Sequence, residues 1–288
     1  MERKSSGVTD FIESLREASE QCTSAHTHIH RVSFPPSELL QHKFSPSQSD
    51  EHLATVTCCI AFGNDHPFLE TALNSISNQT VPVQKICVGV DNSINGSNPY
   101  RALGGTLTEY RHFVGSHGPF VIMEQMIRDA TTEYILLMDS DDIAHPDRLA
   151  ILLSTARSTG SDFVGSASLQ VTESGAQAIG ADVFPMFPRE ALNRNICHAA
   201  LYPTLLVRRA AFIELGGFAT FESFGMDSEF VVRASRYHNF RNIPLPLYLK
   251  RDRSTSLTND CVTGMVSERR KRILEFTCRR YEEIFNAS

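Results

Sequence analysis

The chain has 288 residues, 41% hydrophobic and 21% charged, with a formal net charge of -6. This is the composition of a globular protein with a sizeable core, and the acidic balance excludes a general nucleic-acid binder, which needs a basic face. No run nears the roughly 20 apolar residues that cross a bilayer, and residues 1–20 lack the apolar stretch of a signal peptide.

The seven cysteines are an odd set without regular spacing. They read as reduced thiols of a cytosolic protein, with Cys58 and Cys59 inside an apolar run, rather than a disulfide frame or a zinc site. The Asn-x-Ser/Thr triplets at Asn78, Asn95 and Asn286 read as chance matches.

Residues 1–50 form a polar, partly helical extension: a helical stretch over 9–20, then turns at Phe34-Pro35-Pro36-Ser37 and Ser45-Pro46-Ser47. His26, His28 and His30 alternate, so a strand would show them on one face. They could bind a metal, but a solvated polar segment is the simpler reading.

From residue 54 strands and helices alternate. Apolar strands are expected at 54–61, 85–90 and 134–138, and helices at 67–79, 119–130 and 146–157. Prolines at the helix starts cost nothing, since those N–H groups have no intrahelical partner. Strands that are apolar without alternation imply an α/β fold with a mostly parallel central sheet covered by helices on both faces. Further strands are expected at 162–171 and 203–207, a short helix from Arg209 to the stop at Gly216-Gly217, and helices at 228–237 and 266–285. The chain thus divides into the extension, a main domain over 51–260 and a C-terminal helix within 261–288.

Ligands of open α/β sheets bind where strands end. Asp91 directly follows the strand at 85–90, and Asp139-Ser140-Asp141-Asp142 follows the strand at 134–138. Carboxylates this close repel one another and resist burial without a cation, which points to a hard divalent metal, Mn²⁺ or Mg²⁺. An acidic turn before the helix at 146–157 is the competing reading, as is a simple turn role for Asp91.

Several segments, in order, resemble glycosyltransferase family 2. They are Thr57-Cys58-Cys59-Ile60-Ala61 through Asn64; Val88-Gly89-Val90-Asp91; Leu137-Met138-Asp139-Ser140-Asp141-Asp142; and Leu206-Val207-Arg208-Arg209 to Gly216-Gly217-Phe218 with Gly225-Met226-Asp227-Ser228-Glu229. The resemblance spans about 54–258. It implies a GT-A fold and an inverting hexosyl- or N-acetylhexosaminyltransferase using a nucleotide-sugar donor, a UDP-sugar favoured. The acceptor would be a saccharide, a lipid-linked glycan or another hydroxyl compound.

Carried over by position, the resemblance implies that Asn64 and Asp91 contact the donor nucleotide. Asp139 would approach the ribose and the metal, Asp141 would ligate the metal, and Asp227 would be the general base. A plain N-cap of the helix at 228–237 is the competing reading of Asp227, and the two are compatible. Arg251 and Arg253 would meet the diphosphate, and His198 would face the acceptor. The sequence departs from the family pattern at Ala61-Phe62-Gly63-Asn64, at Val90 and at Met226.

Two rivals remain. A nucleotidyltransferase would carry a Gly-rich basic loop where Phe62-Gly63-Asn64-Asp65 stands. A non-catalytic binding module would be expected to lack Asp141 or Asp227, and both are present. The basic run Arg269-Arg270-Lys271-Arg272 leaves peripheral contact with an anionic membrane open, although nearby glutamates favour a packed or solvated helix.

Overall fold

Val56–Phe62 buries every side chain except the half-buried Ala61, as a strand covered on both faces must. The computed structural model describes residues 7–22, 27–29, 32–46, 54–63, 66–91, 107–194, 196–264 and 267–286. In chain order its elements are α1 (Gly7–Glu20), β1 (Thr27–Ile29), α2 (Pro36–Gln41), β2 (Val56–Phe62), α3 (Leu69–Ser77), β3 (Lys85–Val90), β4 (Thr108–His112) and α4 (Pro119–Asp129). There follow β5 (Tyr134–Asp139), β6 (Ile143–Ala144), α5 (Arg148–Thr159), β7 (Phe163–Val171), β8 (Ala178–Val183) and α6 (Pro188–Leu192). A 3-10 turn (Tyr202–Thr204), β9 (Leu206–Arg208), α7 (Arg209–Glu214), α8 (Met226–Tyr237), β10 (Phe240–Arg251) and α9 (Glu268–Asn286) complete the chain.

The described strands form one sheet in the order β1-β8-β7-β9-β5-β2-β3-β4, with β10 beside β7 and β6 against β10. The central strands β5, β2, β3 and β4 run parallel. β9 lies between β5 and β7 and is antiparallel to both, while β10 runs parallel to β7. Alternation along β2 sends Cys58 and Ile60 into a core with α3 and α5, and Cys59 into a second core with α4, α7 and α8. The architecture is the expected mixed α/β sheet with helices on both faces.

The segment read as an extension is packed onto the sheet. Val8, Phe11 and Leu15 of α1, with Phe34 and Leu39, share a third core with Leu169, Val171, Ala181, Val183 and Leu249. β1 also joins the sheet by pairing with β8. Leu15 is fully buried, so Leu15→Ala is expected to cost about 2–5 kcal/mol in urea denaturation. A loss below about 0.5 kcal/mol would mean that α1 contributes nothing to the core.

Sequence patterning misses β10, because Pro244 and Pro246 argue against a strand interior. The strand accommodates them through register shifts between Ile243 and Pro246 and between Pro246 and Tyr248. It likewise misses the short β1, α2, β4, β6, β8 and α6. The strand expected at 203–207 begins as the 3-10 turn and extends only from Leu206.

Cys58 and Cys59 are free and fully buried, as expected. Burial raises the Cys58 thiol to about 12 and takes Cys59 well above its ordinary range, so both remain protonated. Cys197 corrects the reading of uniformly reduced thiols: it is disulfide-bonded. Of the histidine triplet, His26 and His30 lie outside the described residues, and His28 pairs with Asp182 at 2.8 Å. Among the described residues no helix is long and apolar enough to cross a membrane.

Candidate active site

Parallel strands deliver their carboxyl ends to one edge of the sheet. Register places Asp139 opposite Ala61 and Val90 opposite Phe62, so Asp139 and Asp91 emerge on either side of the end of β2. Two strand spacings separate them, about 10 Å.

Asp139, Asp141 and Asp142 each present an oxygen, and these oxygens lie within 4.8 Å of one another. Burial first, and then the charges of Asp142 and Asp141, push Asp139 well above the usual carboxylate range. Burial and Asp141 raise Asp142 to about 7, against the lowering effect of its hydrogen bonds from the Arg251 amide and Tyr248. Clustered hard oxygen donors whose charges are penalised in this way suit a divalent cation, which would relieve both penalties. Asp142 is buried and accepts the Arg251 N–H at 2.7 Å, so it also anchors the end of β10.

β10, which ends at Arg251, and the chain just beyond it carry the two arginines into this cluster. The Arg251 Nε donates to the Asp141 carbonyl at 2.8 Å, and its guanidinium lies 4.3 Å from the Phe68 ring centre. Arg253 Nε donates to Asp141 Oδ2 at 2.6 Å, an ion pair largely shielded from solvent. Tyr248, fully buried, accepts the Asp139 N–H at 3.2 Å. Beneath it Arg148 donates to the Leu137 and Pro203 carbonyls at 2.8 and 2.7 Å, tying β5 to the 3-10 turn.

Asp91 stands at the same edge, but its carboxylate accepts the backbone N–H groups of His117 at 3.0 Å and Gly118 at 2.9 Å. It thereby fixes the start of α4, whatever else it contacts. Asn64 lies outside the described residues.

Asp227 arrives from the other half of the chain, in the first turn of α8. The helix starts at Gly225, whose φ of 76° is left-handed, and no side chain caps it. Asp227 Oδ1 is buried and has no hydrogen-bond partner among the described residues. Its charge reaches Asp139, Tyr202 and Arg270. His198 lies alongside, with Nδ1 2.9 Å from the Ser228 hydroxyl.

The structure thus gathers Asp139, Asp141, Arg251, Arg253 and Asp227 in one region, with Asp91 along the same edge and His198 at the start of α8. Sequence reasoning missed His66, whose Nε2 is 3.0 Å from the Ser140 hydroxyl. It also missed Tyr248 and Arg270. Arg270 and Arg269 lie over the Phe224 ring at 5.4 and 5.1 Å, and a Cβ at Gly225 would lie 3.3 Å from Ile273, so α9 packs on the turn that carries Asp227. No local signal marks these residues, because each acts through a partner more than 40 positions away.

The sequence model of glycosyl transferase family 2 matches residues 57–216, more than half of the chain. No curated protein matches by sequence. Among solved structures, residues 1–349 of S. aureus TarS in complex with UDP-GlcNAc is similar, with a TM-score of 0.55 and 18% identity over 79% of this chain and 72% of that one. A further structure of S. aureus TarS aligns with a TM-score of 0.56 and 18% identity, over 79% of this chain and 43% of that one. The mannosyltransferase PcManGT from Pyrobaculum calidifontis, in complex with GDP-Man and Mn²⁺, has a TM-score of 0.53 and 17% identity over 85% of this chain and 66% of that one. At these identities the likeness is one of fold. The family match over most of the sheet, on the GT-A architecture, identifies the chain as a member of glycosyl transferase family 2 and a glycosyltransferase.

Proposed function

We propose that the protein transfers a sugar from a nucleoside-diphosphate sugar to an acceptor hydroxyl, with metal assistance and inversion at the anomeric carbon. One observation carries this reading: a buried, unpartnered oxygen of Asp227 within electrostatic reach of the crowded carboxylates of the Asp139 loop. An unpaired carboxylate oxygen held rigidly in the first turn of a helix is poised to accept a proton.

Asp139 and Asp141 would hold a divalent cation, whose chemistry is to neutralise charge on the departing diphosphate. Arg251 and Arg253 lie beside it, where their guanidinium forks suit diphosphate oxygens. Asn64 and Asp91 are assigned to the nucleotide and His198 to the acceptor. In the reaction the acceptor oxygen bonds to the anomeric carbon as its proton passes to Asp227. The bond from that carbon to the diphosphate breaks, and its electron pair leaves with the nucleoside diphosphate. Attack opposite the leaving group inverts the centre, and the coupling constant of the product's anomeric proton reports it.

A uridine donor is favoured. UDP-GlcNAc and UDP are held by the TarS structures and GDP-Man with Mn²⁺ by the PcManGT one, so calorimetric titration of UDP and GDP with Mn²⁺ tests both. Asp91→Ala is expected to weaken binding of the preferred nucleotide about tenfold and, by releasing the start of α4, to lower Tm by a few degrees. A lower Tm with unchanged affinity would reduce Asp91 to a turn residue, and binding of neither nucleotide would sink the donor assignment.

A further inference from the structure

The segment 66–68, just after β2, contacts the acidic loop and the arginine beside it. His66 is buried, its ring edge-on to Phe62 at 5.2 Å and stacked on Phe68 at 5.8 Å. Its Nδ1 accepts the Phe68 N–H at 3.2 Å. A neutral imidazole that accepts at Nδ1 carries its proton on Nε2, so Nε2–H donates to the Ser140 hydroxyl 3.0 Å away. Ser140 is itself buried and sits between Asp139 and Asp141. Two residues beyond His66, Phe68 underlies the Arg251 guanidinium, which holds the Asp141 carbonyl. Adjacent carboxylates drive such a loop apart by repulsion, and this segment adds two restraints to those that Tyr248, Arg251 and Arg253 supply.

We propose that His66 is a positioning residue: through Ser140 it fixes the Asp139–Asp141 loop in the conformation that receives a divalent cation. The inference rests on the metal reading above for its consequence, but not for the clamp itself. Partners that orient metal ligands typically change affinity by about 10–100-fold when removed.

The test uses the full chain with His66→Ala, Ser140→Ala, the double variant and His66→Gln, whose amide retains a donor. Circular dichroism establishes that each is folded. Should His66→Ala not fold, Ser140→Ala removes the same bond and leaves the rings in place. In the metal-free protein, hydrogen exchange of the amides at 140–142 is expected to quicken about tenfold in His66→Ala and to return most of the way in His66→Gln. Mn²⁺ affinity in the presence of UDP or GDP is expected to fall about 10–100-fold in either alanine variant, with no further loss in the double. Unchanged exchange overturns the clamp. Faster exchange with unchanged Mn²⁺ affinity overturns the positioning role, leaving His66 structural. Additive losses in the double variant would show that the two side chains act separately and also overturn it. If the wild type binds no Mn²⁺ with either nucleotide, the metal reading fails by itself, and the exchange rates alone decide the clamp.

Discussion

Asp227→Asn is expected to fold, bind the nucleotide with Mn²⁺ at near wild-type affinity and lose transfer by about a hundredfold or more. The amide keeps the size of the side chain but removes the basic oxygen. The amide matches the carboxylate in size and shape, so Tm is expected to move by no more than about 3 °C. Because Oδ1 makes no hydrogen bond among the described residues, the substitution also strands no partner there. Steady-state transfer rates and donor affinity, measured on the same preparation, decide the matter. Near-normal turnover removes Asp227 as the base, and a loss of donor binding moves it to the metal site.

The second large effect lies at Asp141. Nucleotide is expected to bind at least about tenfold more tightly with Mn²⁺ than in EDTA, and Asp141→Asn to abolish that difference. Asparagine is the better probe than alanine because Asp141 is paired with Arg253, whose side chain is only 7% exposed. Removing one partner of a buried ion pair strands the other, at a cost of about 3–5 kcal/mol. The amide oxygen still accepts from Arg253, so the variant retains most of its stability while losing the anionic ligand. Calorimetry that finds the same metal dependence in wild type and Asp141→Asn would exclude Asp141 as a ligand.

Arg253 therefore has two partners to satisfy in the proposed cycle. Without ligand its guanidinium neutralises Asp141. With a diphosphate present, Arg253 would be free to turn to the phosphate oxygens if Asp141 held a divalent cation instead. Such an exchange would keep the Asp141 and Arg253 charges compensated in both states, as the desolvation cost of an unpaired ion requires.

Much of this protein is written in short stretches of its sequence. The parallel strands at β2, β3 and β5 declare themselves by unbroken apolar runs, since a strand buried on both faces tolerates little else. Carboxylates placed directly after two of those strands must reach the same sheet edge, so Asp91 and Asp139 could be assigned there before any coordinates. Asp227 was legible through its position in an ordered set of family segments. A cap position at the helix entry was legible as well, but the helix begins at Met226 with Gly225 as its N-cap. Asp227 therefore lies inside the first turn with one oxygen unpartnered among the described residues, an outcome that rests on the left-handed backbone of Gly225 and on Ile273 packed against it.

What tertiary structure alone decided are the long-range partners. His66 finds Ser140, 74 residues away, and Arg253 finds Asp141 across 112 residues. Tyr248 and Arg251 reach the loop on a strand whose prolines conceal it from pattern reading. α1 joins a core formed by strands more than 140 positions downstream. Hydrophobic periodicity reports only which face of a segment is buried, and never what buries it. The sequence by itself determined the central parallel strands β2, β3 and β5, the acidic edge they deliver and the class of chemistry. Which side chains restrain, neutralise and face those acids was decided by the packing of β10, α8 and α9 around them, because such contacts depend on how distant elements dock and not on local spacing.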